Sequence, residues 1–360
     1  MSAPVGAPER YRLYGLDELE ARGHVVRHNL ERAAPPAWAR TAGDLAKRAL
    51  ERAGGYGGDF ATVLGSLRRA NRSDVVLSTV DTVGIPLMLL RRSGRLHAPL
   101  VYTAIGLPER LAQLWTERMR RLYPRALASS AAVLAYSNRE AEELRAYLSD
   151  VHEAPAVEFV PFGVDEQAFR PANAPPSVDV VMAGADPHRD VELFLQLAAE
   201  MPSRSFHLVT SAERARGLGP TLPNLQVEVD VPLEVVRSRL EGARVVALPV
   251  LENTYSGATT VLLQAMALGK AVVVTRTQAI ATGYGLSDGD NCRLVEPGDA
   301  AGFGRAVATA LRDEWHARSL GARARQTVEN GLTWGHYVDR IEATLLDASA
   351  GRPDARSPRD

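Results

Sequence analysis

The chain has 360 residues, of which 46% are hydrophobic, and 42 Lys and Arg face 43 Asp and Glu. That length allows two domains, the apolar content is that of a soluble globular protein, and a net charge of −1 supplies no global basic field for nucleic acid. The single cysteine, Cys292, excludes an internal disulfide, and the eight histidines show no metal-ligand spacing, so no metal site is expected.

Residues 1–10 read as a loose start. They lack the basic start and apolar core of a signal peptide, and no run approaches the roughly eighteen apolar residues of a membrane span. A cytoplasmic protein is expected, with at most a peripheral contact on the inner face of the membrane. Lys47 and Lys270 are the only lysines, so arginine carries nearly all positive charge; with the abundant alanine this reads as coding bias. Leu16 to Arg22 predicts a helix stopped by Gly23, and His24 to His28 a short strand. Gly54 to Gly58 (GGYGG) reads as a flexible loop, since no Lys-Ser/Thr follows to make a phosphate loop. Ser73 to Thr79 is a strand and loop that brings Asp81 and Thr82 to its carboxyl end, and Ile85 to Arg92 is helical. Leu100 to Ala104 is a strand ending at Ile105 and Gly106. Pro108 then opens a helix predicted to run to about Tyr123. Arg110, Arg118, Arg120 and Arg121 with Trp115 on that helix allow two readings, a basic face for anionic lipid or a solvated surface diluted by Glu109 and Glu117. Ala132 to Ser137 is a strand, Ser137 capping a helix from Asn138 to Leu148, and Val157 to Val160 leads into Pro161-Phe162-Gly163-Val164-Asp165. Ala172 to Pro176 reads as a linker.

Beyond it, strands at Val178–Ala183, Phe206–Thr210, Leu225–Val229, Ala243–Leu248, Ala271–Val274 and Cys292–Val295 alternate with helices, the pattern of a parallel α/β sheet. The helices are expected from Asp190 to about Met201, at Leu233–Leu240, Gly257–Leu268, Ala300–Leu311 and Glu314–Asn330, and from Trp334 to Leu346. Ser256 is the expected N-cap of the Gly257–Leu268 helix and Gly269 its stop. Ser256, Thr260, Gln264 and Ala267 share one face. That stripe either lines a ligand groove at the strand ends or lets Gln264 cap a solvent edge. Thr282, Gly283 and Tyr284 fall in a loop that could line the same site. Residues 350–360 form a polar tail, and no internal repeat is found.

The segment LLQAMALGKAVVV resembles the nucleotide-sugar-binding helix of retaining glycosyltransferases of family 4. GLDELEARGHVV, the Pro-x-Gly-Val-Asp segment at Pro161–Asp165 and the turn Glu296-Pro297-Gly298-Asp299 are similar to other family segments. The resemblance implies the glycosyltransferase-B fold: α/β, with two Rossmann-like doubly wound domains facing across a cleft. Residues 1–165 would be the acceptor-side domain and 166–334 the nucleotide-sugar domain. Residues 335–348 would be a helix able to cross back, and 349–360 a disordered tail. The implied reaction is retaining, metal-independent sugar transfer, with the nucleotide-sugar as co-substrate and no other cofactor. The expected acceptor is a small molecule, a lipid-linked group or a saccharide, and no nucleic acid is involved.

Carried over residue by residue, Gly163, Gly184, Arg189, Ser256, Gly257, Ala258, Thr259, Thr260, Gln264 and Arg276 would bind the donor, and Thr79, Asp81, Ile105 and Gly106 would face the acceptor. Arg189, Ser256 and Glu252 are the catalytic candidates. The family places an Arg after the glycine at 184, where this chain has Ala185; Arg189 stands for the second cation, and Arg276 is either a further phosphate ligand or half of an internal ion pair. Both family glutamates are replaced, by Ser256 and Gln264. Ser256 is read as a helix cap before a sugar ligand, and Glu252 as a carboxylate that could serve the sugar instead. The alternatives are a non-catalytic sugar-nucleotide-binding or partner protein on the same fold, and a nucleotide-sugar epimerase whose acid and base residues are not identifiable.

Overall fold

A computed structural model describes residues 13–29, 34–172, 175–219, 222–255 and 257–351. The loose start expected at 1–10, Ser256 and all of the tail expected at 349–360 beyond residue 351 lie outside the described residues, and the last helix takes in the tail's first residues, to Ala350. The chain divides into two compact units. An N-terminal unit comprises Leu19–Val160 with the chain from Asp339 onward, and a C-terminal unit comprises Pro161–Val338 with the described residues up to Glu18. The division falls at Pro161 rather than Asp165, and the stretch before Glu18 joins the C-terminal unit. There Tyr14 packs edge-on against Phe162 with ring centroids 6.2 Å apart.

In chain order the first part contains α1 (Leu16–Ala21), α2 (Ala37–Arg52), α3 (Phe60–Ala70), β1 (Val76–Ser78), α4 (Asp81–Arg92), β2 (Leu100–Ala104), α5 (Leu107–Ala112), α6 (Glu117–Leu127), β3 (Ala132–Ala135), α7 (Asn138–Tyr147) and β4 (Ala156–Phe159). The strands form one parallel sheet in the order β1-β2-β3-β4. The strand predicted at His24–His28 does not form. Val25 is solvent-exposed and the segment pairs with no strand. Instead Arg22 and His24 are tied through side chains to Glu342 (2.5 and 2.6 Å). No element was read from sequence at 37–52 or 60–70, where α2 and α3 lie. Each buries a narrow face, Ala39 and Gly43 on one and Phe60 and Val63 on the other, too small a signal for the apolar period to show.

The GGYGG loop is packed, not flexible. A Cβ at Gly55 would come 2.8 Å from the Tyr123 hydroxyl, and one at Gly58 2.7 Å from the Thr82 carbonyl. The Tyr56 N–H donates to Tyr123 Oη (2.8 Å), whose own hydrogen goes to the Tyr56 carbonyl (2.6 Å). The single helix predicted from Pro108 to Tyr123 is two, because the Thr116 side chain caps the start of α6 by accepting from the Met119 N–H. The break also separates Arg110 from the exposed arginines of α6.

The remainder contains β5 (Val178–Ala183), α8 (Val191–Glu200), β6 (Phe206–Thr210), α9 (Ala212–Ala215), β7 (Leu225–Val229), α10 (Leu233–Glu241), β8 (Ala243–Leu248), α11 (Thr259–Ala267), β9 (Ala271–Thr275), β10 (Arg293–Val295), α12 (Ala300–Arg312), α13 (Glu314–Glu329) and α14 (Trp334–Ala350). All six strands are parallel, in the order β10-β9-β8-β5-β6-β7. The central strands are buried along nearly their whole length, as strands covered on both faces must be. Phe194, Phe206, Leu208, Val245, Val273, Phe303 and Val307 form the core between sheet and helices. Among the described residues no helix is long and apolar enough to cross a membrane.

The segment Pro161–Asp165 is held along its backbone. The Val164 N–H donates to the Leu332 carbonyl (3.0 Å) and the Trp334 N–H to the Val164 carbonyl (2.7 Å). A Cβ at Gly163 would lie 2.6 Å from the Thr333 carbonyl oxygen, so this glycine makes room for the start of α14. Gly163→Ala is expected to lower the melting temperature by several degrees, an overpacking cost of roughly 1–3 kcal/mol, checked by thermal unfolding.

Candidate functional site

Counted within the C-terminal unit, the sheet runs third, second, first, fourth, fifth, sixth strand. The order reverses between β5 and β8, and successive connections leave that point in opposite directions. A crevice therefore opens beyond the carboxyl ends of these two strands. The loops that leave there, Gly184–Asp190 and Pro249–Ala258, are knit together. Arg189 and Val250 form an antiparallel bridge, the Asp190 N–H donates to the Pro249 carbonyl (3.0 Å), and the Leu251 N–H donates to the His188 carbonyl (2.8 Å).

Arg189 is the centre of this region. It is 2% exposed, and its guanidinium lies over Gly184, where a Cβ would come within 2.6 Å of Nε. Gly184 has φ +129°, which a side chain would strain, so glycine is required there twice over. Among the described residues Nε and Nη1 of Arg189 are buried without a hydrogen-bond partner. Burial pulls the guanidinium down to about 10, opposed by the negative charge of Asp186, so it stays a cation at neutral pH. A buried cation without a bonded anion is costly, and the arrangement suits an anionic ligand. The side chain is therefore not a surface arginine.

Three residues that sequence reasoning did not single out surround it. Tyr255 Oη donates to Asp186 Oδ2 (2.8 Å), the His188 N–H donates to Asp186 Oδ1 (2.9 Å), and His188 Nδ1 is 2.9 Å from Tyr255 Oη. The His188 and Tyr255 rings meet edge to face at 5.2 Å. Asp186 and Tyr255 come from loops far apart in the chain, so no spacing signal could have joined them.

Helix α11 begins at Thr259 with Ala258 as its N-cap and no side-chain cap, not at Gly257 behind a Ser256 cap. The Gly257 N–H donates to the Tyr255 carbonyl (2.9 Å). A Cβ on Gly257 would lie 2.6 Å from Asp186 Oδ2, so this glycine faces that carboxylate. Ala258 and Thr259 precede the first helical bond, from the Leu262 N–H to the Ala258 carbonyl, and their N–H groups have no helical acceptor. Thr259 Oγ1 is buried without a partner among the described residues. Thr260 is half-buried, and Gln264 is 2% exposed, so it caps no solvent edge. Gly269 (φ +67°) ends the helix as expected.

Other candidates are placed elsewhere. Arg276 is largely exposed and pairs with Glu296 at 3.5 Å, the internal ion pair that was its alternative. Glu252 Oε1 accepts from the N–H groups of Asn253 (3.0 Å) and Gln278 (2.8 Å), which ties its loop down. Tyr284 is buried and accepts from the Phe162 N–H (3.2 Å), while Thr282 and Gly283 are exposed.

The acceptor-side candidates gather at the carboxyl ends of β1 and β2 in the N-terminal unit. Thr79 is half-buried. Asp81 is 3% exposed and accepts from the Tyr102 hydroxyl (2.7 Å), the Ile105 N–H (3.5 Å) and Arg110 Nε (3.0 Å). Arg110 also lies over the Tyr56 ring at 4.9 Å, so this half-exposed side chain is engaged with Asp81 and Tyr56 and not with the arginines of α6. Arg118, Arg120 and Arg121 remain exposed with Trp115, and Arg121 pairs with Glu117 at 2.8 Å. Glu140, not anticipated from sequence, is fully buried; its Oε1 accepts from the N–H groups of Gly106 (2.7 Å) and Leu107 (3.1 Å).

Residues 177–313 match the family model described as glycosyl transferases group 1. The match lies wholly within the C-terminal unit, on the sheet that carries Arg189. No curated protein matches the chain. Among solved structures, sucrose-phosphate synthase from Thermosynechococcus elongatus is similar at TM-score 0.66 and 19% identity, covering 81% of this chain and 79% of that one. A glycosyltransferase from Rickettsia africae gives 0.66 at 12% identity over 96% of both chains. The Anabaena protein HepE, solved in complex with UDP-glucose, gives 0.65 at 16% identity over 88% of this chain and 98% of its own. These likenesses establish the fold, two Rossmann-like α/β units of the glycosyltransferase-B type.

Burial, reinforced by the charge of Asp81, pushes Glu140 from an ordinary 4.5 up to about 8. The folded state therefore keeps a proton that the unfolded chain has released. Stability falls as pH rises through that window and is greatest below it. Glu140→Gln keeps an oxygen for the Gly106 and Leu107 N–H groups without the charge. The native protein is expected to lose more thermal stability between about pH 5 and pH 8 than this variant, as read by melting temperature.

Proposed function

We propose that the chain is a glycosyltransferase that moves a sugar from a nucleotide-sugar donor to an acceptor, with retention and without a divalent metal. The observation that carries this reading is the buried Arg189 guanidinium at the reversal of the strand order, with Nε and Nη1 unpartnered among the described residues. The family match over the same sheet and the UDP-glucose complex of HepE support it, and they make a uridine diphosphate sugar the first donor to test.

When the bond from the anomeric carbon to the diphosphate breaks, negative charge develops on the leaving phosphate oxygen. Arg189 pairs with that charge, and the N–H groups of Ala258 and Thr259 add a helix N-terminus worth roughly 0.3–1 kcal/mol, or about 2 when partly buried. Arg189 is thus the main stabiliser of the leaving group. The acceptor hydroxyl attacks the same face of the sugar, and the departing phosphate oxygen takes its proton. Gln264, buried on α11, faces the ribose in place of a glutamate. An amide offers one acceptor and one donor group where a carboxylate accepts from both ribose hydroxyls, so the ribose is held less tightly or the donor is a deoxyribonucleotide. The acceptor binds at the strand ends around Asp81 and Gly106 of the N-terminal unit, and the protein works in the cytoplasm.

A second reading is a sugar-nucleotide-binding protein without turnover. The replacement of both family glutamates by Ser256 and Gln264, and of the family Arg by Ala185, favours it. Release of UDP from a nucleotide-sugar by the purified protein decides for the enzyme, and saturable binding with no turnover decides for the binder.

Arg189→Met tests the donor site. Losing a hydrogen bond between charged groups costs roughly 1.5–3 kcal/mol, so UDP binding measured by calorimetry is expected to weaken roughly 10- to 150-fold. The unliganded variant is expected to melt no lower than the native protein, because an unpaired buried charge has been replaced by an apolar side chain of similar length. Native-like UDP affinity in this variant would sink the assignment. Gln264→Glu is expected to tighten ribonucleotide binding relative to deoxyribonucleotide, read by the same titration.

A further inference from the structure

Arg189 is a buried cation that leaves hydrogen-bonding capacity unused although a carboxylate sits on the same turn. The Arg189 N–H donates to the Asp186 carbonyl (3.0 Å), so the two residues lie at opposite ends of one tight turn, and the charge of Asp186 acts on the guanidinium. Such a pair would ordinarily close into an ion pair. Here both carboxylate oxygens are engaged elsewhere. Oδ1 accepts from the His188 backbone N–H and Oδ2 from the Tyr255 hydroxyl. A carboxylate only accepts, so Tyr255 must give its hydrogen to Asp186. Its oxygen then accepts from His188 Nδ1, which places the ring hydrogen on that nitrogen. Gly257 completes the seat, since a Cβ there would come 2.6 Å from Oδ2 and 2.8 Å from Cγ of Asp186.

We propose that Tyr255, oriented by His188, is a positioning residue that holds the Asp186 carboxylate against Gly257 and away from Arg189, keeping the guanidinium open for the donor diphosphate. The inference rests on the donor-site reading given above. It assigns the chain's affinity for nucleoside diphosphates to a choice between two anions. With Tyr255 in place the internal carboxylate is parked and the diphosphate takes the cation. Without it, Asp186 turns onto Arg189 and competes with the ligand. None of the three residues touches the reacting atoms in this scheme.

The test is a set of four proteins titrated with UDP by calorimetry: native, Tyr255→Phe, Asp186→Asn, and the double variant. Phenylalanine keeps the ring packing against His188 and removes only the hydroxyl. Tyr255→Phe is expected to bind UDP roughly tenfold more weakly, the effect of one charged competitor. Asp186→Asn is expected to bind at least as tightly as the native protein. The double variant is expected to regain native affinity within about threefold, because the competing charge is gone. A crystal structure of Tyr255→Phe should show an Asp186 carboxylate oxygen within hydrogen-bond distance of the Arg189 guanidinium. Native-like affinity in Tyr255→Phe beside tight binding by the native protein would overturn this inference and leave the donor site standing. Weak binding in Tyr255→Phe that Asp186→Asn fails to rescue would also overturn it, since Tyr255 would then act through the fold or by direct contact. Absence of UDP binding by the native protein would remove the donor reading and this inference together.

Discussion

A parallel sheet whose strand order reverses leaves two neighbouring strand ends with no connection crossing between them, and the C-terminal unit is built around such a gap. It lies between β5 and β8. The polar groups of the candidate site are delivered by the loops leaving those strands and by α11. The sheet supplies rigidity through strands that are apolar along nearly their whole length, and it leaves the polar work to loops. Arg189 depends on this frame. Its backbone pairs with Val250 and its side chain crosses Gly184, so one residue joins the two loops. A cation held in this way has lost most of its hydration, and among the described residues its Nε and Nη1 have gained no hydrogen bond, which makes it a poor structural element and a good anion receptor.

The glycines show how closely the backbone approaches in these loops. Gly184 accommodates the guanidinium, Gly257 the Asp186 carboxylate and Gly163 the start of α14. A resemblance to a ligand-binding pattern suggests that glycines at such positions admit a substrate. Here each of the three admits another part of the protein, and that packing in turn shapes the site.

The N-terminal unit uses its strand ends differently. Asp81 accepts from Tyr102, Arg110 and the Ile105 N–H, and Glu140 accepts from the N–H groups of Gly106 and Leu107, so the two acids hold the backbone at Ile105–Leu107. Two acids share this region and only one has a bonded cation. Among the described residues Asp81 has Arg110, whereas Glu140 accepts from backbone N–H groups, and burial pushes it up to about 8. The network therefore stores its polarity inside the unit, in contrast to the open guanidinium of Arg189.

The sequence by itself determined the α/β class, the strands of both sheets, the helix stop at Gly269, and the pairing of a glycine at 184 with a cation at 189. These are local features: apolar runs, a left-handed stop and short spacing within one loop. It also pointed to Asp81 and Gly106 as residues at strand ends. Only the tertiary structure decided which candidates meet. It sent Arg276 to Glu296, tied Glu252 to Gln278, engaged Arg110 with Asp81, and denied His24–His28 a neighbouring strand. It likewise packed the GGYGG loop and brought Asp186, His188 and Tyr255 together. Those outcomes depend on segments distant in the chain, and side chains from separate loops acquire a common environment only once the strand order of the sheet is set.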